Sequence, residues 1–242
     1  MKFIPLLIVI LCSLLAIPSA KTDPAEDARN KAAKLKKDGN WKEAFEAYKD
    51  LLMKEENSGK VAAEDLQNAW QSLSRIGQVA LMDDFLESVV QKYPQDWRVL
   101  AGAGSLQLRM PQYGYIIGGE FKRGHHRGGG RQVNSHQRDR TRGLALMERA
   151  MKAAKNDEDK AAIAGLYLDF ANAIASNRGR NESWRLQYLT DFSKLPDWDE
   201  GGYHGARDVG APVDADGKPV FYSIPESWEK ATNDGERWRY LL

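Results

Sequence analysis

From Asp23 to Met110 the apolar residues recur every three or four positions with charged residues between them, the pattern of helices that bury one side. Pro24 suits a first helical turn, so the first helix runs to Lys37 with a lysine-rich outer face. Asp38-Gly39-Asn40 breaks it, and Trp41, Ala44, Phe45, Tyr48, Leu51 and Leu52 stripe a second helix. Leu66, Ala69, Trp70, Leu73 and Ile76 stripe a third, Gly77 breaks that one, and Val79, Met82, Leu86, Val89 and Val90 stripe a fourth. Setting Gly39 over Gly77 lays Trp41 on Val79, Ala44 on Met82, Tyr48 on Leu86, Leu51 on Val89 and Leu52 on Val90, a period of 38 residues. Self-similarity at that period predicts helix-pair repeats, because no single pair buries its apolar face alone.

Tyr93-Pro94 closes the second pair. Asp96 caps a further helix through Arg109 that turns Trp97, Leu100, Ala103, Gly104 and Leu106 inward, and Pro111 ends it. Residues 113–121 are apolar and aromatic, but Gly114, Gly118 and Gly119 make them a poor helix. Residues 118–142 hold six glycines, seven Lys or Arg, three of the four histidines and only two acids, and are expected to be a long loop set into the helical array. Residues 138–155 read as helical again, with Leu144, Met147, Ala150, Met151 and Ala154 inward and Asp157 or Asp159 near the next helix start. Ile163, Leu166, Tyr167, Phe170, Ile174 and Ala175 mark a well-buried helix, and Asn181 caps a last long helix holding Trp184, Tyr188, Leu189 and Phe192. Asn181-Glu182-Ser183 also spells a glycosylation acceptor.

At Pro196 the composition changes. An acidic turn, 197–202, precedes a β-hairpin in which Val213 and residues 220–222 flank Asp216-Gly217. Ser223-Ile224-Pro225-Glu226 resembles a capping box opening a short helix, and residues 236–242 start another amphipathic pattern on which the chain stops, as a longer protein cut short would. The expected organisation is a signal segment at 1–20, a helical repeat domain at 21–195 with its insertion at 118–142, and a hairpin-containing extension at 196–242. The fold class is all-α, a solenoid of helix pairs resembling tetratricopeptide repeats, with a long Gly/Arg-rich loop and a small C-terminal β-hairpin. The tetratricopeptide likeness rests on residues 38–48, Asp-Gly-Asn-Trp-Lys-Glu-Ala-Phe-Glu-Ala-Tyr, which match the turn and second helix of that repeat, although its usual period is 34 residues rather than 38.

Composition refines this reading. Residues 1–20 join Lys2 to a nearly continuous apolar run over 3–17 and end on Pro18-Ser19-Ala20, a secretory signal that places the protein outside the cytoplasm. The run is short for a membrane span, so the membrane enters only if the signal stays uncleaved as an anchor. Cys12, the only cysteine, lies within it, so a cleaved chain has no disulfide, thiol nucleophile or Cys-ligated metal. A net charge of +1 argues against a nucleic-acid partner. The segment 118–142 carries +5, which leaves the rest of the mature chain near −5 and gives the arginines an internal partner.

Candidate chemistry gathers in that segment. Arg123, Arg127, Arg131 and Arg138 could bind an anion, a polysaccharide or a protein partner, with the Gly128-Gly129-Gly130 backbone cradling a phosphate or sulfate. The competing reading has Arg127, Arg131, Arg138 and Arg140 pinning the loop onto Asp197, Asp199, Glu200 and Asp208 in bidentate ion pairs. His125, His126 and His136 are weak candidates for zinc or copper, since adjacent histidines point apart and no carboxylate pair sits at ligand spacing. Asp214-Ala215-Asp216-Gly217 lacks the later acid a calcium loop needs, Trp198 and Trp228 could stack on sugars, and no hydrolase elbow or zinc-protease motif is present. No cofactor and no enzymatic activity are expected.

Several words of the sequence resemble the helical N-terminal region of large exported bacterial proteins of the alpha-2-macroglobulin family. They are residues 118–142 followed by Leu144-Ala145-Leu146-Met147-Glu148, then Trp184-Arg185-Leu186-Gln187-Tyr188-Leu189-Thr190-Asp191, Gly201-Gly202-Tyr203, residues 210–217 and Asp234-Gly235-Glu236-Arg237-Trp238-Arg239. The resemblance implies a scaffold module whose partner is another protein or the downstream macroglobulin domains of the same polypeptide. In that family the downstream domains trap proteases, in some members through a thioester built from Cys, Glu and Gln. Nothing of that apparatus is in this chain, and a mature chain without cysteine cannot form the thioester.

Overall fold

The computed structural model describes residues 23–54, 57, 59–176, 180–200 and 211–242. The signal reading at 1–20 lies outside them. Helix α1 (Pro24–Lys37) starts with proline in its first turn, and the Asp23 side chain accepts from Ala25 N at 3.1 Å. Helices α2 (Trp41–Lys54), α3 (Gly59–Arg75), α4 (Met82–Lys92) and α5 (Trp97–Leu108) follow at the places the apolar stripes require. The turns before α2 and before the short 3-10 segment Val79–Leu81 are alike, because Gly39 (φ 80°) and Gly77 (φ 69°) are both left-handed, a conformation other residues resist. Ala44, Tyr48, Leu51 and Leu52 are buried, and so are their counterparts Met82, Leu86, Val89 and Val90.

The chain then departs from the expected loop. Residues 113–134 form an antiparallel sheet of β1 (Tyr113–Ile117), β2 (Glu120–Arg123) and β3 (Arg131–Asn134), with β1 in the middle and the two-residue strand β4 (Asp199–Glu200) on the outer edge of β3. Gly118 (φ 58°) and Gly119 (φ 88°) make the two-residue turn of the first hairpin, where positive φ matches the right-handed strand twist. Gly114 faces Arg123 on one side and Val133 on the other, and a Cβ there would lie 2.4 Å from Lys122 O and 2.5 Å from the Phe121 ring. Glycine that would break a helix is here what lets strands and a phenyl ring pack together.

Helix α6 (His136–Ala153) begins two residues earlier than the sequence suggests, followed by a 3-10 turn and α7 (Lys160–Ile174), whose N-cap is Asp159. The expected long helix beyond 181 is instead a 3-10 stretch, Arg180–Arg185, followed by irregular chain. Of the C-terminal hairpin only a bridge, Val213 to Pro219, and its turn are present. The capping box sits at the start of α8 (Asp234–Leu241), not at 223–226: Asn233 accepts from Glu236 N at 2.8 Å, and Glu236 reaches back to Thr232 N at 2.7 Å. Ser223 donates to the same Glu236 at 2.8 Å.

Packing follows chain order from α1 to α3, and α5 then lies between α3, α4 and α6. One apolar core runs through α1–α5 and takes Ala150 from α6, Ala154 from the 3-10 turn after it and Leu166 from α7. A second joins Leu144, Met147 and Met151 of α6 to Phe170 and Ile174 of α7, Trp228 and Leu241. Helix α7 is less enclosed than its composition suggests, since Leu168 is 53% exposed. Helices α5 and α6 approach closely at two glycines: a Cβ on Gly104 would lie 2.8 Å from Gly143 O, and one on Gly143 3.0 Å from Gly104 O.

The start of α5 is tied to the turn before α7 through Asp157, which accepts from Trp97 Nε1 at 2.7 Å and Arg98 Nη1 at 2.8 Å. The Arg98 hydrogen bond first, then those from Trp97 and Asp159 N, hold the Asp157 carboxyl well below the usual carboxylate range. A carboxylate with a depressed folded pKa stabilises the fold above its unfolded value of about 3.9 and loses that contribution as pH falls toward the folded value. Asp157→Asn is therefore expected to lose less of its own Tm than the wild-type chain does between about pH 5 and pH 3. Parallel melting curves would refute the assignment.

Candidate functional site

Two cations of the segment, Arg123 and Arg140, are built into the interior around the first two turns of α6. Gly124 (φ 91°) ends β2 against the turn before α4, and its missing Cβ would lie 2.2 Å from Val79 Cγ2. That contact brings Arg123, 4% exposed, between α4 and α6. Its guanidinium grips Asp139 with Nη1 to Oδ2 and Nη2 to Oδ1 both at 2.8 Å, and Asp83 with Nε to Oδ2 at 2.7 Å and Nη2 to Oδ1 at 2.8 Å. Nη1 also donates to Pro111 O and to Ser135 Oγ, so every N–H group is engaged. Ser135 Oγ donates to Asp139 at 2.7 Å, and Gln107 Nε2 reaches the other oxygen at 2.7 Å. Burial opposes the Arg123 charge, but the hydrogen bonds and charges of Asp139 and Asp83 outweigh it and hold its pKa above the ordinary arginine value.

The next residue on α6 builds a second network on another side of the helix. Arg140, also 4% exposed, donates to Ile174 O at 3.0 Å and Thr190 Oγ1 at 3.2 Å and lies 3.7 Å from Asp234, which is fully buried. Asp234 accepts from Thr190 N at 3.0 Å and Arg237 Nη1 at 3.2 Å, and so ties α8 to α6. Successive helical residues diverge by about 100°, so Asp139 and Arg140 face different neighbours. One turn thus holds the sheet with one charge and the C-terminal segment with the other.

The expected site residues are not brought together. Arg123 is buried structure. Arg138 donates to Pro196 O and lies 4.2 Å over the Trp198 ring, whose other neighbour is Phe121 at 4.4 Å. Burial, and then the nearby Arg142 charge, lower the Arg138 pKa from the ordinary arginine value. Trp198 is thereby part of a stack, and Trp228 is 4% exposed, so the sugar-platform reading fails for Trp228. Arg127, between β2 and β3, and Arg131, the first residue of β3, are exposed. The acidic turn is not the partner of Arg123 or Arg140, which use Asp83, Asp139 and Asp234; Asp208 and the side chains at 199 and 200 lie outside the described residues. His125 is exposed, His126 lies 5.9 Å from the Tyr115 ring, and His136 opens α6. Among the described residues no group of three or more His, Cys, Asp or Glu side chains is arranged to hold a metal, and no helix is long and apolar enough to cross a membrane.

Reading the sequence missed Asp83, Asp139 and Asp234 as the anchoring acids. Its available signals were Arg138-Asp139-Arg140, an acid between cations at a helix start, and Gly118-Gly119 between β-forming residues. No family model, curated protein or solved structure matches this chain.

Proposed function

We propose that the chain is an exported, non-enzymatic helical scaffold for protein contacts, the N-terminal region of an alpha-2-macroglobulin-like polypeptide, with α1–α5 as two and a half helix pairs of a tetratricopeptide-like array. The observation that carries this reading is the pair of left-handed glycine turns at Gly39 and Gly77, each followed by a helix with the same buried positions. The resemblance of residues 118–142, 184–191 and 234–239 to that family supplies the rest. In this reading Arg123 and Arg140 hold the module's parts together, and partners meet the outer helix surfaces. The test is an immunoblot of the source cells, fractionated by compartment, with antibodies raised against residues 24–242. The expected band lies outside the cytoplasm and runs far above 27.2 kDa, the mass of this chain. A cytoplasmic band, or one near the mass of this chain alone, would overturn the proposal.

A further inference from the structure

Helices α4 and α6 both pack on α5 and leave between them a groove of about 190 Å³ over Gln107. Leu86 and Val90 line one wall and Leu146 the other, with Arg142, Arg149 and Glu87 at the rim. At about 190 Å³ the groove has room for one apolar side chain from an extended segment. Arg142 spans it by donating to Glu87 at 2.8 Å, and both side chains are more than 40% exposed. Exposed pairs of this kind are weak, so an incoming carboxylate can take Arg142 from Glu87 at little cost. Arg149 donates to the neutral carbonyl of Pro94 at 3.2 Å and keeps a full positive charge at the other end. Seven residues of helix separate the two arginines by roughly 10 Å, and on an extended chain side chains four residues apart share a face and lie about 13 Å apart, a difference that two long arginine side chains take up.

We propose that this groove docks an extended acidic segment of a partner protein, with two carboxylates four residues apart on Arg142 and Arg149 and the apolar side chain midway between them, on the same face of the segment, on Leu86, Val90 and Leu146. The assignment rests on the reading of the chain as a protein-contact module and names the surface and the chemistry it recognises. Charge complementarity selects the occupant: two cations face one acid around an apolar floor, so an acidic segment with a central leucine satisfies both the rim and the groove.

The probe is a fluorescein-labelled Gly-Glu-Ser-Leu-Ser-Glu-Gly peptide, which sets both glutamates and the leucine on one face when extended, titrated with the full chain and followed by anisotropy. Saturable binding is expected, about tenfold weaker for the Arg142→Ser/Arg149→Ser double variant and for a peptide with both glutamates changed to glutamine. Glu87→Gln should strengthen binding by freeing Arg142, a gain that a purely structural role for the strap would not give. Lys218→Ser, on the exposed 214–218 turn, serves as the unaffected control. Both arginines are on the surface, and matched melting curves establish that the variants are folded. Absence of saturable binding, or binding that the double variant retains, overturns the proposal. So does heparin binding that depends on the same two arginines and excludes the peptide, which would make this a polyanion site. None of these results changes the size or compartment of the cellular polypeptide, so failure here is distinct from failure of the function proposed above.

Discussion

Arg123→Met is expected to destabilise the chain by about 3–5 kcal/mol, because it leaves Asp139 in the interior without its cation. Asp139 is 3% exposed and would keep only Ser135 and Gln107 as donors, while Asp83 would lose two hydrogen bonds. The loss should appear in urea unfolding as a lower midpoint with the slope little changed, since the surface exposed on unfolding is nearly the same. The double variant Arg123→Met/Asp139→Leu should recover part of it, because an apolar pair of similar volume removes the unpaired charge. Arg127→Ser, on the exposed turn a few residues away, should shift stability by no more than about 0.5 kcal/mol. Equal effects at 123 and 127 would mean that the Asp83–Arg123–Asp139 network does not join sheet to helices.

Gly104→Ala and Gly165→Ala make the same chemical change in the middle of two helices and should act in opposite directions. In an exposed helix, alanine improves on glycine by roughly 0.5–1 kcal/mol. At Gly165 a Cβ meets nothing within 4 Å, so that gain should appear in full. At Gly104 the Cβ would meet Gly143 O at 2.8 Å and Met147 Cγ at 2.9 Å. Main chain cannot swing aside as a side chain can, so α5 and α6 must separate, and overpacking of this kind costs about 1–3 kcal/mol beyond the propensity gain. Stabilisation at both positions would show that α5 and α6 do not meet at Gly104.

Much of the candidate site was illegible from the chain for a physical reason. Arg123, Arg127, Arg131 and Arg138 look alike as letters, yet one is buried between two aspartates, one is stacked on Trp198 and two are exposed. Burial of an arginine depends on whether acids distant in sequence arrive beside it. Asp83 is forty residues before Arg123, and Asp234 lies far along the chain from Arg140. The sheet is a different kind of miss, because Tyr113-Gly114-Tyr115-Ile116-Ile117 and Gly118-Gly119 carry a local hairpin signal that counting glycines against a helix obscures. The over-long helix after 181 fails because residues 186–192 serve α8: Leu186 and Tyr188 offer carbonyls to Gly235 and Asp234, and Thr190 bonds the Asp234 side chain.

By itself the sequence determined α1 through α5, with their Asp23 and Asp96 caps and left-handed glycine turns, because helix periodicity, capping and backbone sterics are local properties of neighbouring residues. Tertiary structure alone decided which charges are interior, which glycines are close-packed and which helices leave a groove between them. Those outcomes depend on groups far apart in the chain meeting in a low-dielectric interior, where a carboxylate beside a guanidinium is stable and either one alone is not.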